Sequence, residues 1–387
     1  MRTTRPRVCF IVESGTDVRL VEGLAEFADL TVIARTIPGG VEISQPARAA
    51  FRFVRGPSSF AGFGASVYRS IRRERRRIDF VLVQGYGVAA AAANLAARLA
   101  GLPSAMLVCS PVEAYYRCRR GQTGFGKPFR RAELAALLLL ARVNATLGSR
   151  YIVLSQHLRE VVRAHGNGRP ADLIPVYGVD TAIFKPSDRA RAEIRRRRGI
   201  PEAGFVLFFS SRIAPEKDAA TLLAAMARLV TGGRDVYLLH RSGGFRRLLA
   251  DADACGLASR VIATAAVHPH EELPLDYAAS DICVQASRAE GLGYSVLEAL
   301  ACGVPVVATR VGGLAETIVD GVTGWTCPPG DADAMARRIA EVLDNPAEGR
   351  RRALAGRQMV EARYARARVF GDLQASIVQS VRQAERA

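Results

Sequence analysis

Along the first 180 residues, short runs of β-branched and aromatic residues alternate with longer segments rich in alanine or arginine. RVCFIV (7–12) predicts a strand, DVRLVEGLAEF (17–27) a helix and DLTVIA (29–34) a second strand. DFVLVQ (79–84), SAMLVC (104–109) and YIVL (151–154) continue as strands, with helices over 88–100 and 131–147. A proline-bearing passage, IPVYGVDTAIFKPSDRA (174–190), breaks the pattern, which then restarts. FVLFFS, DVYLLH, RVIAT, DICVQA and VPVVAT are the strands of the second series, and residues beyond Gly330 are largely helical. Strands alternating with helices predict parallel sheets covered on both faces. The expectation is an α/β chain of two doubly wound, Rossmann-like domains. These span 1–180 and 181–365, with the last helix, about 366–387, rejoining the first. Ligands of such sheets lie beyond the carboxyl ends of the strands, so two facing units are expected to share one cleft.

Composition narrows the class. With 387 residues, 49% hydrophobic and 24% charged, the chain has the make-up of a soluble globular protein able to bury two cores. No run approaches the roughly 20 apolar residues that cross a bilayer, and MRTTRPRVCFIVES reads as a first strand, not a signal peptide. The expected location is the cytoplasm, with at most a peripheral attachment to the inner face of the membrane. Seven cysteines (Cys9, Cys109, Cys118, Cys255, Cys283, Cys302, Cys327) are scattered singly, without a CxxC or Cys/His cluster. They read as structural thiols, and no metal site is expected.

The formal net charge of +17 is uneven: residues 1–184 carry 26 basic against 13 acidic side chains. Clusters stand at RSIRRERRR (69–77), RCRR (117–120) and KPFRR (127–131). Such a field attracts an anionic membrane surface, nucleic acid or an anionic small substrate. The plainer alternative is an arginine-rich decoration of solvated helix faces, since only three of the 54 basic residues are lysines.

The candidate chemistry lies in the second half. SRAEGLGYSVLEALACGVPVVAT (287–309) places Glu290 in a loop after the strand DICVQA and Glu298 just over one turn into the next helix. Gly291 and Gly293 let the backbone approach a ligand, and the helix start offers free N–H groups to an anion. A carboxylate accepting two hydrogen bonds suits the vicinal hydroxyls of a sugar. The competing reading makes Glu290 a helix cap and Glu298 a solvated helix residue. FFSSRIAPEKDAATLLAAM (208–226) puts Arg212 and Lys217 after another strand, where two cations would neutralise a diphosphate. Here the competing reading is a surface ion pair between Arg212 and Glu216.

SSRIAPEKD, followed about 70 residues later by EGLGYSVLEALACGVPVVATRVGGLAETIVDGVTGWTCPPGD, resembles glycosyltransferase family 4, retaining enzymes of the GT-B fold. The two glutamates match that family's E-x7-E motif, and YGVDTAIFKP resembles its interdomain passage. The resemblance is specific over residues 174–345 and general before them. It implies a nucleotide-sugar donor held mainly by the second domain. Arg212 and Lys217 would grip the diphosphate, Glu290 the transferred sugar and Glu298 the ribose. Backbone amides over Gly291, Leu292, Gly293 and Tyr294 would help hold sugar and phosphate. Gly15, in ESGTD, corresponds to the loop that nears the phosphates, although the family's paired glycines are replaced by Ser14-Gly15-Thr16. The family's histidine after the strand matching SAMLVC is absent, and CSPVEAYY offers Cys109, Ser110 and Glu113 instead. None of His157, His165, His240, His268 and His270 is assigned a general-base role; His268 and His270 flank Pro269 in a loop at a strand end.

The expected function is therefore transfer of a hexose, with retention, from a nucleoside-diphosphate sugar to a hydroxyl acceptor. The acceptor is expected to be a carbohydrate or lipid-linked glycan intermediate of cell-envelope or polysaccharide synthesis, met at an anionic membrane surface. No cofactor or metal is expected, because no DxD or His/Asp cluster suggests a divalent ion. Two alternatives stay open: a nucleotide-sugar epimerase of the same fold, and a nucleic-acid-binding protein using the basic half. The latter lacks a recognisable motif, and nucleic acid is not an expected partner. The base, sugar, acceptor and oligomeric state are not encoded in these motifs.

Overall fold

The computed structural model describes residues 5–38, 50–119, 131–166, 168–265 and 272–386. The chain divides into two compact units. The first comprises Met1–Ser110, Phe129–Gly178 and Ala367–Ala387, and the second comprises Pro111–Pro128 and Val179–Arg366.

In the first unit, seven parallel strands run β1 (Arg7–Val12), β2 (Asp29–Arg35), β3 (Arg52–Gly56), β4 (Phe80–Gln84), β5 (Ser104–Val108), β6 (Arg150–Val153) and β7 (Ala171–Leu173). Their order is β3-β2-β1-β4-β5-β6-β7, with Val12 beside Gln84 across β1 and β4. Alternate residues of these strands, Cys9 and Ile11, Val81 and Val83, face the helices Phe60–Glu74 and Val88–Leu99. The second helix presents Ala89, Ala93, Ala96 and Ala97 to the sheet, small residues at helical spacing that allow close approach. The helix Arg366–Arg386 closes the unit: Phe370 lies where any side chain on Gly23 would stand, and Ser376 donates to Asp172 at 2.6 Å.

The second unit repeats the plan with six parallel strands. These are β8 (Phe205–Phe209), β9 (Val236–Arg241), β10 (Val261–Thr264), β11 (Ile282–Gln285), β12 (Val306–Thr309) and β13 (Trp325–Cys327), in the order β10-β9-β8-β11-β12-β13. Leu207 and Phe209, Val284 and Val307 pack with Leu222, Met226 and Leu229 of the helix Ala219–Thr231 and with Met335 and Ile339 of Ala332–Asp344. Both sheets are the doubly wound type that the alternation of strands and helices predicts. The strands β3, β7 and β13 were not predicted. β7 and β13 have three residues each, too short to show a period, and β3 reads RFVRG, with arginines at its first and fourth positions. In each sheet the order reverses between the first and fourth strands, β1/β4 and β8/β11, which creates a crevice at their carboxyl ends.

Candidate functional site

In the second unit, the loops leaving β8 and β11 rise on either side of this reversal. The first carries Arg212 and a short 3-10 turn, Pro215–Lys217, before the helix Ala219–Thr231. Asp218 joins turn to helix at φ 48°, the one non-glycine residue at positive φ among those described. An aspartate tolerates this left-handed conformation because its side chain bonds locally. Here it caps the helix, accepting from the Thr221 hydroxyl at 2.7 Å, and takes a further bond from Arg288 Nε at 2.7 Å.

Lys217 and Glu290 meet: the ammonium donates to Glu290 Oε2, with both side chains almost buried. Glu290 also accepts from the Ser287 hydroxyl at 3.2 Å, the Gly291 amide at 3.3 Å and the Tyr115 hydroxyl at 3.5 Å. It makes no bond to the helix Tyr294–Ala301, so the capping reading fails. Arg212 is 58% exposed and donates to Glu216 at 3.1 Å, so the ion pair of the competing reading does form. Glu216, however, is fully buried, and its main partner is Arg119, which donates through Nε at 3.0 Å and Nη2 at 2.6 Å. Burial pushes the Glu216 carboxyl up, but the Arg119 hydrogen bonds, a backbone hydrogen bond and the charges of Arg119 and Arg212 together outweigh it and hold the group below the usual range.

Glu298 is buried rather than solvated. The Tyr277 hydroxyl lies 3.0 Å from Glu298 Oε2, 2.9 Å from the Ser295 carbonyl and 3.0 Å from Ser210 Oγ. Burial and the nearby Glu298 push the Tyr277 hydroxyl well above its ordinary value, so it stays neutral. A hydrogen-bonded chain ties the two carboxylates' surroundings together. Ser295 donates to the buried Gln285 at 3.1 Å, Gln285 to Ser287 at 2.7 Å, and Ser287 to Glu290. Gly291, Leu292 and Gly293 are buried, and Tyr294 is half-buried. Gly293 sits at φ 92°, where a side chain would also overlap Leu314. Gly313 is equally constrained: a Cβ there would overlap the Gly291 carbonyl and stand 2.6 Å from Leu292 Cα. Gly313 thus fixes how low the Gly291–Gly293 backbone lies.

Gly15, in the first unit, has φ 90° and open space on its side-chain side. His240 is fully buried, with Nδ1 2.6 Å from the Phe209 carbonyl. Burial lowers its pKa to about 4, partly offset by that bond. His165 is buried and meets Tyr86 edge to face, and His268 and His270 lie outside the described residues. Cys9, Cys283, Cys302 and Cys327 are buried as expected of small hydrophobes, while Cys255 is exposed. Among the described residues, no group of three His, Cys, Asp or Glu side chains is placed to hold a metal ion.

Sequence reasoning missed Tyr115 and Arg119, both on the helix Val112–Arg119, which belongs to the second unit although it precedes the passage at 174–190. RCRR gave no sign that one of its arginines meets a buried carboxylate 97 positions away. Asp218 was legible, since an aspartate directly before AATLLAAM is a helix-cap signal. So was Gly313, because the paired glycines of RVGGL follow a strand directly.

The glycosyl transferases group 1 family model matches residues 190–359. A GDP-mannose-dependent alpha-(1-6)-phosphatidylinositol monomannoside mannosyltransferase from Mycobacterium tuberculosis is 31% identical over 349 residues, 87% of this chain and 86% of its own. The protein of the same description from Mycolicibacterium smegmatis is 37% identical over 189 residues, 46% of this chain and 49% of its own length. The fold is shared with sucrose-phosphate synthase from Thermosynechococcus elongatus, at a TM-score of 0.81 and 23% identity, covering 97% of this chain and 99% of that one. These likenesses give the epimerase alternative no support. With two doubly wound sheets and a relative matched along most of its length, the protein is a glycosyltransferase of GT-B fold that belongs to the glycosyl transferases group 1 family.

Proposed function

We propose that this glycosyltransferase is a retaining enzyme of family 4 that moves mannose from GDP-mannose to a hydroxyl of an inositol-bearing lipid acceptor. The carrying observation is the meeting of Lys217 and Glu290 from the loops after β8 and β11, with Arg212 alongside at the strand-order reversal. Cleaving a sugar–diphosphate bond builds negative charge on the leaving phosphate, and fixed donors aimed at that charge are usually the largest catalytic contribution. In this reading Lys217 and Arg212 meet the diphosphate, and Glu290 holds a hydroxyl of the transferred sugar. Glu298, oriented by Tyr277, takes the ribose hydroxyls, and the amides over Gly291 to Tyr294 take sugar and phosphate. The donor and acceptor classes follow the named activity of the mycobacterial relative that matches most of the chain.

An anionic bilayer is the proposed surface for the acceptor. Arg69, Arg73, Arg75, Arg76 and Arg77 are exposed on and just after the helix Phe60–Glu74, and the one acidic residue among them, Glu74, is engaged by Arg52 at 2.6 Å. Juxtaposed arginines of this kind each contribute roughly 1 kcal/mol on an anionic leaflet, screened by salt. No helix among the described residues is long and apolar enough to cross a membrane.

The test is GDP release from GDP-mannose, with UDP-glucose and ADP-glucose as rival donors, over vesicles with and without phosphatidylinositol. Acceptor-dependent release and an α-linked product are expected. A nucleotide sugar epimerised without acceptor, or no acceptor-dependent release from any donor, overturns the reading.

A further inference from the structure

The strand-order reversal in the first unit, at β1/β4, corresponds to the one that carries Lys217 and Glu290 in the second. Glu13 follows β1 directly, and Gly85, Tyr86 and Gly87 follow β4. The Glu13 carboxyl is 7% exposed. One oxygen, Oε2, lies against Gly87, where any Cβ would overlap it, and the carboxylate accepts from the Ala89 amide at the start of the helix Val88–Leu99. The other, Oε1, is buried without a hydrogen-bond partner. Thr16 Oγ1, three residues on, is buried and unpartnered as well. Between Glu13 and Thr16, Gly15 faces open space.

A native fold rarely leaves such atoms unmatched, because each costs its full desolvation. Glu13 Oε1 is a pure acceptor, so its missing partner must bring donors. An ionised phosphate ester brings none and would be repelled by Glu13. Vicinal hydroxyls bring several. We infer that Glu13, with Thr16 three residues on, forms a polyol-binding subsite in the first unit, in which Glu13 Oε1 accepts a hydrogen bond from an acceptor hydroxyl while Oε2 stays fixed at the helix start. Burial supports this, since it raises the carboxyl's pKa and so strengthens the pull on a donor, with Arg35, whose Nε donates to the Glu13 carbonyl at 2.9 Å, as the opposing charge. The inference rests on the proposed function for its acceptor, and it adds the residues that hold that acceptor's ring.

The test compares Glu13→Gln and Gly87→Ala with the wild type, using GDP-mannose and phosphatidylinositol vesicles. Gly87 has φ −70°, which alanine accepts, so its added methyl acts by displacing the Glu13 carboxyl. Both variants are expected to raise the KM for phosphatidylinositol at least tenfold while the KM for GDP-mannose stays within twofold. An unchanged acceptor KM, or both KM values rising together as a merely structural role requires, overturns the inference. Calorimetry with inositol 1-phosphate and with GDP separates the two claims. Wild type that binds GDP but no polyol overturns the subsite and leaves the donor reading standing. Wild type that binds neither overturns both.

Discussion

Lys217→Met removes an ammonium that neutralises Glu290 and, in the proposed function, also meets the leaving diphosphate, and the two jobs can be measured apart. Glu290 has a side chain only 9% exposed, and its remaining partners are weak, at 3.2, 3.3 and 3.5 Å. Breaking a buried ion pair by removing one partner costs about 3–5 kcal/mol. The three surviving donors place this case lower, at about 2–3 kcal/mol, read by chemical denaturation. Turnover with GDP-mannose is expected to fall by about 10²–10³, the cost of losing one donor to a developing charge. Glu290→Gln then supplies the control. A carboxamide needs no cation, so Lys217→Met in the Glu290→Gln background should cost little stability, giving a coupling of about 2 kcal/mol. If the ammonium also meets the leaving phosphate, the double variant stays about 10²-fold or more below Glu290→Gln alone in turnover. Equal rates for those two proteins would show that Lys217 serves only to neutralise Glu290, and the diphosphate assignment would fall.

Two further outcomes follow from the packing and the charges. Gly313→Ala, which would press into the Gly291 carbonyl and Leu292 Cα, should weaken GDP binding at least tenfold although residue 313 is assigned no ligand contact; unchanged calorimetric affinity would deny the loop its role. His240 is neutral in the fold down to a pKa of about 4, below its ordinary 6.5, so the unfolded chain binds the extra proton between those values. Stability from this residue is present above pH 6.5 and is lost as pH falls towards 4, by roughly 3 kcal/mol. His240→Asn should flatten acid unfolding across that window, and an unaltered slope would contradict the burial argument.

The residues visible in the sequence were those marked by the stretch of chain immediately around them. Arg212, Lys217, Glu290 and Glu298 stand beside glycines, strand ends and helix starts, and local periodicity places each of them. Tyr115 and Arg119 reach Glu290 and Glu216 across 175 and 97 positions. No pattern in RCRR distinguishes an arginine bound to a buried carboxylate from one in water. Glu13 was passed over for a related reason. ESGTD draws attention to its glycine, whereas what marks the glutamate is the bare Gly87 opposite it, a relation that exists only once β1 and β4 pair. Glu298 shows the converse: a helix position that reads equally well as solvated is closed over by Tyr277 from a helix some twenty residues earlier.

The division of the chain bears on how the protein is made. Neither unit is continuous: 111–128 is lent forward to the second, and 367–387 returns to the first. A ribosome emitting this chain releases β1 to β7 long before Phe370, which covers Gly23, has been synthesised. The leading sheet therefore waits, with one flank uncovered, for the final twenty or so residues to emerge. Scission near residue 180 would strand Arg119 from Glu216, so two separately expressed halves would each lack a part held by the other.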